Sequence, residues 1–334
     1  MRTNRRVILS SRPKGVPQAE HYAVEEVPAE SPGDGQFLVE MAFWSVDPAM
    51  RGWANDAPNY LPPVAIGAAM RSFAVGTVVE SNHADYTVGD MVSGMFGWQR
   101  FAVSDGSDVD RRVLEHDLSP SLALGVLGLN GVTAYFGLTE VCQPKQGETV
   151  VVSTAAGAVG SAVGQIAKVL GCRTVGITST EEKAKLCTEQ FGYDAVIRYR
   201  DQDVAAALAE AAPDGVNCYF DNTCGPISDA VMTKLALGAR ICICGTAALT
   251  DWDPIPQGPR VHRQLMVARA RMQGFLVLDY KARYGEAVTH LADWVRSGEL
   301  AVNEHILDGA EAAPGAIAML YEGRNNGKLL IRVD

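Results

Sequence analysis

The chain contains 334 residues, of which 47% are hydrophobic and 20% are charged, and its formal net charge is −10. This length exceeds what one compact core usually serves, so two domains are expected. The acidic balance argues against nucleic acid and against an anionic membrane surface as partners. Polar residues interrupt the most apolar stretch, 118–138, and no apolar segment follows the early arginines, so neither a membrane span nor a secretory leader is predicted.

The cysteines and histidines bear on location and on metal binding. Seven cysteines are scattered through apolar segments without a Cys-x-x-Cys pair, which predicts buried, reduced thiols in a cytoplasmic protein. Residues 1–141 contain no cysteine, and the six histidines stand apart from one another. A catalytic zinc would need cysteine or clustered histidine ligands in this first part of the chain, so no metal site is predicted.

Short runs with β-strand character, separated by Gly, Pro and Asp, occupy the chain from Val7 to about Arg112. Clear examples are residues 37–41, 73–79 and 90–93. Evenly spaced short strands without a long helical period are typical of a partly open β-barrel. The sequence therefore predicts a domain of this kind over residues 1–122.

From about Ser121 onward, strands alternate with helices. The predicted strands are 149–153, 174–178, 195–197, 217–221, 240–244 and 272–277. One helix stops at Gly171, a capping box of Ser179 and Glu182 opens another, and an amphipathic helix covers 284–296. This alternation predicts an α/β fold over residues 123–300, a doubly wound parallel sheet of the Rossmann type. The last strands, 305–307 and 328–333, are expected to return to the barrel domain within 301–334.

A glycine-rich turn lies between the first of these strands and its helix. It runs from Ala155 to Gly164 and includes Gly157 and Gly160. Small residues let the backbone approach a pyrophosphate, and the amides at the helix N-terminus face its negative charge. Packing of a helix on a strand also selects small residues, but the order strand, turn, helix favours a dinucleotide site.

The tip of the second strand indicates which dinucleotide binds. NAD sites commonly carry a carboxylate here, which binds the ribose 2′-hydroxyl. This chain has Thr178, Ser179 and Thr180 at the tip, followed by Lys183. Hydroxyl groups beside a cation suit a 2′-phosphate, so NADPH is favoured over NADH. The alternative is that Lys183 is one more solvated helix lysine.

Several motifs, taken in chain order, resemble those of one family. They lie at 45–51, 131–137, 155–161, 164–168, 219–222, 243–245, 272–277 and 325–328. From about residue 36 to its end the chain resembles the zinc-independent medium-chain dehydrogenase/reductases, in the branch of prostaglandin, alkenal double-bond and curcumin reductases. The resemblance implies a GroES-like barrel beside the Rossmann domain, a metal-free site and a homodimer.

The same resemblance implies which residues contact NADPH, with Lys183 and Tyr199 flanking the adenosine 2′-phosphate. Without it, Tyr199 would be interpreted as a strand-end aromatic packed on the sheet, and Asn325 as a turn residue. The implied contacts are Thr133, Gly157, Ala158, Val159, Gly160, Lys183, Tyr199, Asn222, Cys244, Gly245, Phe275, Leu276, Val277 and Asn325.

The implied reaction is hydride transfer from NADPH to the β-carbon of an α,β-unsaturated ketone or aldehyde, followed by protonation of the α-carbon. Two alternatives stay open at this point. One is an NADPH quinone oxidoreductase acting on small quinones, and the other is a non-catalytic NADPH-binding sensor. Assays of NADPH oxidation against enones and quinones separate the three.

The chain departs from the family at the substrate side. Members commonly carry a tyrosine where this chain has Ala49, and a second tyrosine is missing from residues 259–271. We therefore expect a substrate pocket at Ala49, Arg51 and Tyr60 that is widened for bulky enones. Trp53 and Trp98 either line this pocket or belong to the barrel core. No side chain is assigned a catalytic role from the sequence.

Overall fold

The computed structural model describes residues 2–56, 59–249 and 254–334. The chain divides into two compact units. Unit 1 consists of Met1–Gly125 together with Glu304–Asp334, and unit 2 is Val126–Asn303. Each division lies three residues beyond the corresponding boundary expected from the sequence, at 122 and at 300.

The first part of unit 1 is almost entirely β-structure. Its elements are β1 (Thr3–Leu9), β2 (Tyr22–Pro28), β3 (Phe37–Ser45), α1 (Ala49–Ala54), β4 (Ala74–Ser81), β5 (Met91–Gly94), β6 (Phe101–Ser104) and β7 (Val109–Arg112). Strands β1 and β2 form an antiparallel pair, and β3 pairs antiparallel with both β4 and β6. Trp44 and Trp98 are fully buried, and Trp53 is 2% exposed. Trp53 and Trp98 were expected either to line the substrate pocket or to belong to the barrel core. Both are buried in the core of unit 1.

Unit 2 alternates strands and helices as the sequence predicts. Its elements are α2 (Leu129–Phe136), β8 (Thr149–Ser153), α3 (Ala158–Val169), β9 (Arg173–Thr178), α4 (Glu181–Lys185), β10 (Ala195–Arg198), α5 (Val204–Ala211), β11 (Val216–Asp221), α6 (Gly225–Met232), β12 (Leu235–Ile243), α7 (His262–Ala268), β13 (Arg271–Gly274) and α8 (Tyr284–Ser297). The strand order is β10-β9-β8-β11-β12-β13, and all pairs are parallel. This is the doubly wound order, with the fully buried β8 near the middle.

Two details of unit 2 differ from the sequence expectation. Helix α4 is capped by Thr180, whose side chain accepts a hydrogen bond from the Lys183 amide at 3.3 Å, so the predicted cap at Ser179 is wrong by one residue. Serine and threonine both cap well, and adjacent candidates cannot be told apart by type. Strand β13 ends at Gly274, three residues before the predicted end.

The last elements belong to unit 1. They are β14 (Glu304–Asp308), α9 (Ala313–Glu322) and β15 (Lys328–Arg332). Strand β15 pairs parallel with β14 and antiparallel with β3. These two late strands therefore join the sheet that contains β3, β4 and β5. Across the residues that the structure describes, no helix combines the length and the apolar composition needed to span a membrane.

Candidate cofactor and substrate sites

The turn after β8 brings the backbone against the start of α3. Thr154 has a left-handed backbone with φ 56°, and its carbonyl accepts a hydrogen bond from the Gly157 amide at 2.8 Å. A Cβ atom on Gly160 would lie 2.2 Å from the Thr154 carbonyl oxygen, and one on Gly157 would lie 2.8 Å from Thr154 Cγ2. Neither position has room for a side chain, so the turn is a bare backbone surface.

The start of α3 is suited to an anion. Gly157 is its N-cap, and Ala158, Val159 and Gly160 form its first turn, which contains no acidic side chain. The first amides of an α-helix have no partner within the helix and carry partial positive charge. A pyrophosphate group can therefore be bound by the backbone of this turn without any basic side chain.

The two ends of the glycine-rich segment have packing roles. A Cβ atom on Gly164 would lie 2.1 Å from the ring of Tyr193, whose hydroxyl donates to the Gly160 carbonyl at 2.7 Å. Ala155 is fully buried, and its amide donates to the Ile177 carbonyl at 3.1 Å. Packing of the helix on the strand, one of the two reasons for small residues that the sequence left open, thus applies at Ala155 and Gly164.

Two cations lie near each other after the neighbouring strands β9 and β10: Lys183 on α4 and Arg200 in the loop after β10. Lys183 is half-buried, and burial lowers the pKa of its amine, as does the positive charge of the neighbouring Arg200. Like charges held this close favour an anion beside them. Tyr199 is 40% exposed, and its amide donates to the Thr178 carbonyl at 3.0 Å, which fixes the start of the loop that carries Arg200. Sequence reasoning missed Arg200, although its position after Tyr199 could have suggested it.

Two carboxylates begin α4 at this corner: Glu182 favours the charged form of Lys183, and Glu181 is already engaged. Glu181 lies 2.7 Å from Arg198 Nη1, and Arg198 also pairs with Asp201 at 3.2 Å. Ser179 is half-buried and lies outside the cap of α4. The corner formed by Ser179, Lys183, Tyr199 and Arg200 is therefore polar and cationic, as a 2′-phosphate requires.

The end of β11 is held by a buried carboxylate. Asp221 is fully buried, and its Oδ1 accepts hydrogen bonds from the amides of Thr223 at 3.0 Å and Cys224 at 2.8 Å. The Asn222 amide donates to Ser153 Oγ at 2.8 Å, and Asn222 Nδ2 donates to the Ser153 carbonyl at 2.7 Å. These bonds fix Asn222 between the carboxyl ends of β8 and β11. The sequence did not identify Asp221, because a carboxylate that binds only amides and hydroxyls has no distinctive spacing.

Cys244 and Gly245 lie beside this turn. Their amides donate to the Asp221 carbonyl at 2.8 and 3.1 Å. A Cβ atom on Gly245 would lie 2.9 Å from the Asn222 carbonyl, so this position too is restricted to glycine. Burial raises the pKa of Cys244 to about 12, so its thiol is neutral at physiological pH.

The remaining predicted contacts of unit 2 occupy varied environments. The Phe275 amide donates to the Ile243 carbonyl at 3.0 Å, and Leu276 is half-buried. Val277 is 6% exposed, so only its backbone can face a ligand. Thr133 is 9% exposed on α2, which packs against α3.

Asn325 lies in unit 1, in the turn before β15. Its Nδ2 donates to the Gly327 carbonyl at 2.8 Å, as a turn residue would. Three residues later Lys328 is 4% exposed, and its Nζ lies 2.6 Å from Asp47 Oδ1 and 2.6 Å from Ser45 Oγ. Ser45 also donates to Asp47. This ion pair fixes the loop that leads into α1, and the sequence did not show it because its partners are 281 residues apart.

The predicted substrate residues sit on and after this loop. Ala49 begins α1 and is half-buried. Arg51 Nε donates to the Gly15 carbonyl at 3.0 Å, and its guanidinium carbon lies 5.8 Å from the centre of the Tyr321 ring. Tyr60 is 49% exposed. Ala49 and Arg51 are thus on one short helix, whereas Tyr60 follows it.

The thiols are consistent with a structural role. All seven cysteines are free, and burial raises the pKa of Cys172 to about 11 and that of Cys187 to about 12. Among the described residues, no group of three or more His, Cys, Asp or Glu side chains is placed to hold a metal ion.

The unit 2 residues fit a dinucleotide phosphate. Gly157, Gly160 and Gly245 let the backbone pack closely against Thr154 and Asn222, where a Cβ atom would collide. The α3 N-terminus suits the pyrophosphate, and the Lys183–Arg200 corner suits a third phosphate group. The arrangement follows the general rule that ligands bind outside the carboxyl ends of the strands in such sheets.

Comparison with known proteins places the chain in a family. Residues 5–111 match the profile described as the N-terminal domain of oxidoreductase, and residues 158–293 match the profile described as zinc-binding dehydrogenase. The chain is 43% identical to the NADPH-dependent curcumin reductase of Escherichia coli (strain K12), over 99% of this chain and 97% of that protein.

Two further proteins are similar over the whole length. The 2-alkenal reductase (NADP(+)-dependent) of Nicotiana tabacum is 35% identical over 99% of this chain and 98% of that protein. The crystal structure of CurA in complex with NADPH from Vibrio vulnificus has a TM-score of 0.92 at 40% identity and covers 99% of each chain. The chain therefore belongs to the zinc-independent medium-chain dehydrogenase/reductases, in the branch of the curcumin, alkenal and prostaglandin reductases.

Proposed function

We propose that this enzyme uses NADPH to reduce the carbon–carbon double bond of α,β-unsaturated ketones or aldehydes. The observation that carries the proposal is the glycine-lined turn between β8 and α3 beside the Lys183–Arg200 corner. The chain with this site is 43% identical to an NADPH-dependent curcumin reductase.

When bound, NADPH supplies a hydride that forms a C–H bond at the β-carbon of the enone. The electron pair of the double bond moves toward the carbonyl oxygen, and the resulting enolate takes up a proton at its α-carbon. An enone, NADPH and one proton thus become a saturated carbonyl compound and NADP⁺. The protein contributes by orienting the enone and by donating hydrogen bonds to the oxygen that gains charge.

On the cofactor side, we assign the pyrophosphate to the amides of Ala158, Val159 and Gly160. The 2′-phosphate is assigned to the corner of Ser179, Lys183, Tyr199 and Arg200. The nicotinamide half is assigned to the strand ends of unit 2, where Thr133, Asn222, Cys244, Gly245, Phe275, Leu276 and Val277 lie.

On the substrate side, we assign the enone to the start of α1, with Ala49 and Arg51, and to Tyr60. The small side chain at position 49 favours bulky substrates. In an Ala49→Tyr variant, kcat/KM for bulky enones should fall by about tenfold more than that for small ones, since a pocket that loses volume rejects large groups first. If Ala49→Tyr left kcat/KM unchanged for both bulky and small enones, the idea of a widened pocket would be refuted.

The decisive experiment measures NADPH oxidation against a panel of enones, alkenals and quinones, with product analysis by mass spectrometry. Transfer of deuterium from labelled NADPH to the β-carbon of the product would establish the reaction. Reduction of quinones without hydrogenation of any enone would instead make the protein a quinone oxidoreductase. Binding of NADPH without turnover of any compound would make it a sensor.

We also propose that two copies associate through α7 and β13. All four residues of β13 are exposed at the edge of the sheet, where the backbone can pair with another strand. Apolar side chains surround this edge: Leu237 is 64% exposed, Met266 70%, Val267 57% and Met272 38%. An apolar patch beside an open strand edge suits a second copy of the same surface.

The oligomeric state tests this interface. Val267→Asp places a charge in the patch, and we expect the dimer to dissociate in analytical ultracentrifugation. Leu114→Asp is the matched control, because Leu114 is an equally exposed apolar residue of unit 1, at 71%. Dissociation by both variants or by neither, or a monomeric unaltered protein, would contradict the proposed interface.

We further propose a cytoplasmic location. Free cysteines persist in reducing compartments, and all seven cysteines of this chain are unpaired. Cell fractionation followed by thiol labelling of the unfolded protein checks this, and recovery of disulfide-bonded protein outside the cytoplasm would refute it.

A further inference from the structure

Tyr321 lies beside the start of α1, on the last turn of α9. Its hydroxyl donates to the Pro48 carbonyl at 3.0 Å, immediately before Ala49. The guanidinium carbon of Arg51 lies 5.8 Å from the centre of its ring. Two separate contacts therefore hold this phenol against Pro48, just before position 49, and Arg51, two residues after it.

Position 49 itself offers no hydrogen-bond donor, because alanine ends in a methyl group. Helix α9 brings a phenol to the neighbouring residue from a point 273 residues further along the chain. A hydroxyl of this kind is therefore available beside Ala49 even though α1 does not carry one.

The surroundings of the phenol suit donation to an oxygen that gains negative charge. Burial raises the pKa of Tyr321, so the hydroxyl keeps its proton at neutral pH, while the charge of Arg51 counteracts this rise by stabilising negative charge on the oxygen. A neutral donor placed next to a cation strengthens its hydrogen bond as charge develops on the acceptor.

We propose that Tyr321 donates a hydrogen bond to the substrate carbonyl oxygen, exchanging the Pro48 carbonyl for it during the reaction. This assignment rests on the proposed reduction of enones. The hydride forms the new bond at the β-carbon, the double-bond electron pair moves to the carbonyl oxygen, and a solvent proton then binds the α-carbon. The O–H bond of Tyr321 is polarised and not broken, so the phenol is unchanged at the end of the cycle.

The principal test is Tyr321→Phe, which removes one oxygen and keeps the ring against Arg51. Loss of one such donor lowers kcat by about 100-fold in comparable sites. We expect a decrease of this size in enone reduction, with less than about a twofold change in the Kd for NADPH, since ordinary binding contacts are kept. Tyr86→Phe is the matched control, because Tyr86 also lies in unit 1 under an arginine, with Arg112 4.9 Å from its ring centre.

A rescue experiment separates chemistry from structure. In the double variant Ala49→Tyr with Tyr321→Phe, the phenol returns from α1, and we expect kcat to recover by about tenfold over the single variant. Equal kcat values for Tyr321→Phe and the unaltered enzyme, or equal losses in Tyr321→Phe and Tyr86→Phe, would overturn the proposal.

A binding measurement makes the test independent of turnover. The probe is p-nitrophenolate, an analogue of an enolate, titrated into the complex with NADP⁺. We expect Tyr321→Phe to weaken its binding by about tenfold, since a hydrogen bond to a charged group is lost. If the unaltered protein reduces no enone yet shows this difference, the reaction is wrong and the role of Tyr321 as an anion donor stands. Equal affinities for both proteins would overturn that role as well.

Discussion

The cofactor side in unit 2 and the α1 loop in unit 1 are specified by different physics. At the β8–α3 turn, Gly157 and Gly160 are required because a Cβ atom would collide with Thr154. At the α1 loop, the backbone is held by the buried Lys328–Asp47 ion pair. A site built on close backbone contact appears in the sequence as a local pattern of small residues. A site built on a long-range ion pair leaves no such pattern.

The largest effect should come from breaking the ion pair. Lys328→Met removes the cation beside Asp47, whose side chain is only 13% exposed. Removal of one partner of a buried pair costs about 3–5 kcal/mol. We expect the free energy of unfolding to fall by about this amount in chemical denaturation, and enone turnover to fall with it as the α1 loop loses its anchor.

The double variant Lys328→Met with Asp47→Asn is the control. It removes both charges, so about half of the lost stability should return if the cost lies in the stranded carboxylate. Additive losses in the double variant would show that the two residues act separately. The α1 loop would then not be held by their ion pair.

The next effect concerns space at the cofactor turn. Gly160→Ala places a Cβ atom 2.2 Å from the Thr154 carbonyl, which forces the turn to shift. Overpacking of this kind costs about 1–3 kcal/mol, so NADPH affinity should fall by about tenfold to 100-fold in isothermal titration. Gly285→Ala is the matched control, since its Cβ has nothing within 4 Å, and it should leave the Kd unchanged. An unchanged Kd in Gly160→Ala would show that the turn does not contact the cofactor.

A smaller effect should distinguish the two cofactors. Lys183→Ala and Arg200→Ala should each weaken NADPH by about tenfold and leave NADH almost unchanged, because a hydrogen bond to a charged group contributes about 1.5–3 kcal/mol. Lys185→Ala is the control on the same helix, since Lys185 lies 3.9 Å from Glu181 at an exposed position. Equal losses for NADPH and NADH would mean that the corner does not bind the 2′-phosphate.

The smallest effect is a pH dependence. Burial and the charge of Arg200 lower the pKa of Lys183 below the ordinary value of a lysine amine, and a 2′-phosphate prefers the protonated amine. NADPH affinity should therefore fall as pH rises through this lowered pKa, because the amine loses its charge there. Lys183→Arg stays charged throughout and should flatten the profile. An equally steep profile in that variant would assign the titration to another group.

The architecture of unit 2 could be predicted from the sequence to within a few residues. Strand β8 has the predicted bounds, Thr149–Ser153, because five consecutive apolar or small residues fit only a strand buried on both faces. The errors are local: Thr180 caps α4 in place of Ser179, and β13 ends early. The exact end of a helix or strand depends on which of several similar residues makes the terminal hydrogen bond. Sequence periodicity does not contain that information.

The candidate site was less predictable where residues act in combination. Arg200, Asp221 and Lys328 were not identified as important, although each has a definite position in the structure. Arg200 gains its significance from proximity to Lys183 across a loop, and Lys328 from a partner 281 residues away. The β8–α3 turn depends only on neighbours in the chain, so its order of strand, turn and helix could be predicted from the sequence.

The return of β14 and β15 to the sheet of unit 1 has a consequence for synthesis. Every strand of unit 2 lies within residues 126–303, whereas unit 1 needs residues 304–334 to complete its sheet. On the ribosome, the later-encoded unit 2 therefore has its full set of strands first, while β3 waits with one open edge for β15. Domains normally mature from the N-terminus onward, and this chain reverses that order. The incomplete sheet of unit 1, with part of the β3 edge unpaired, is then exposed to pairing with other chains.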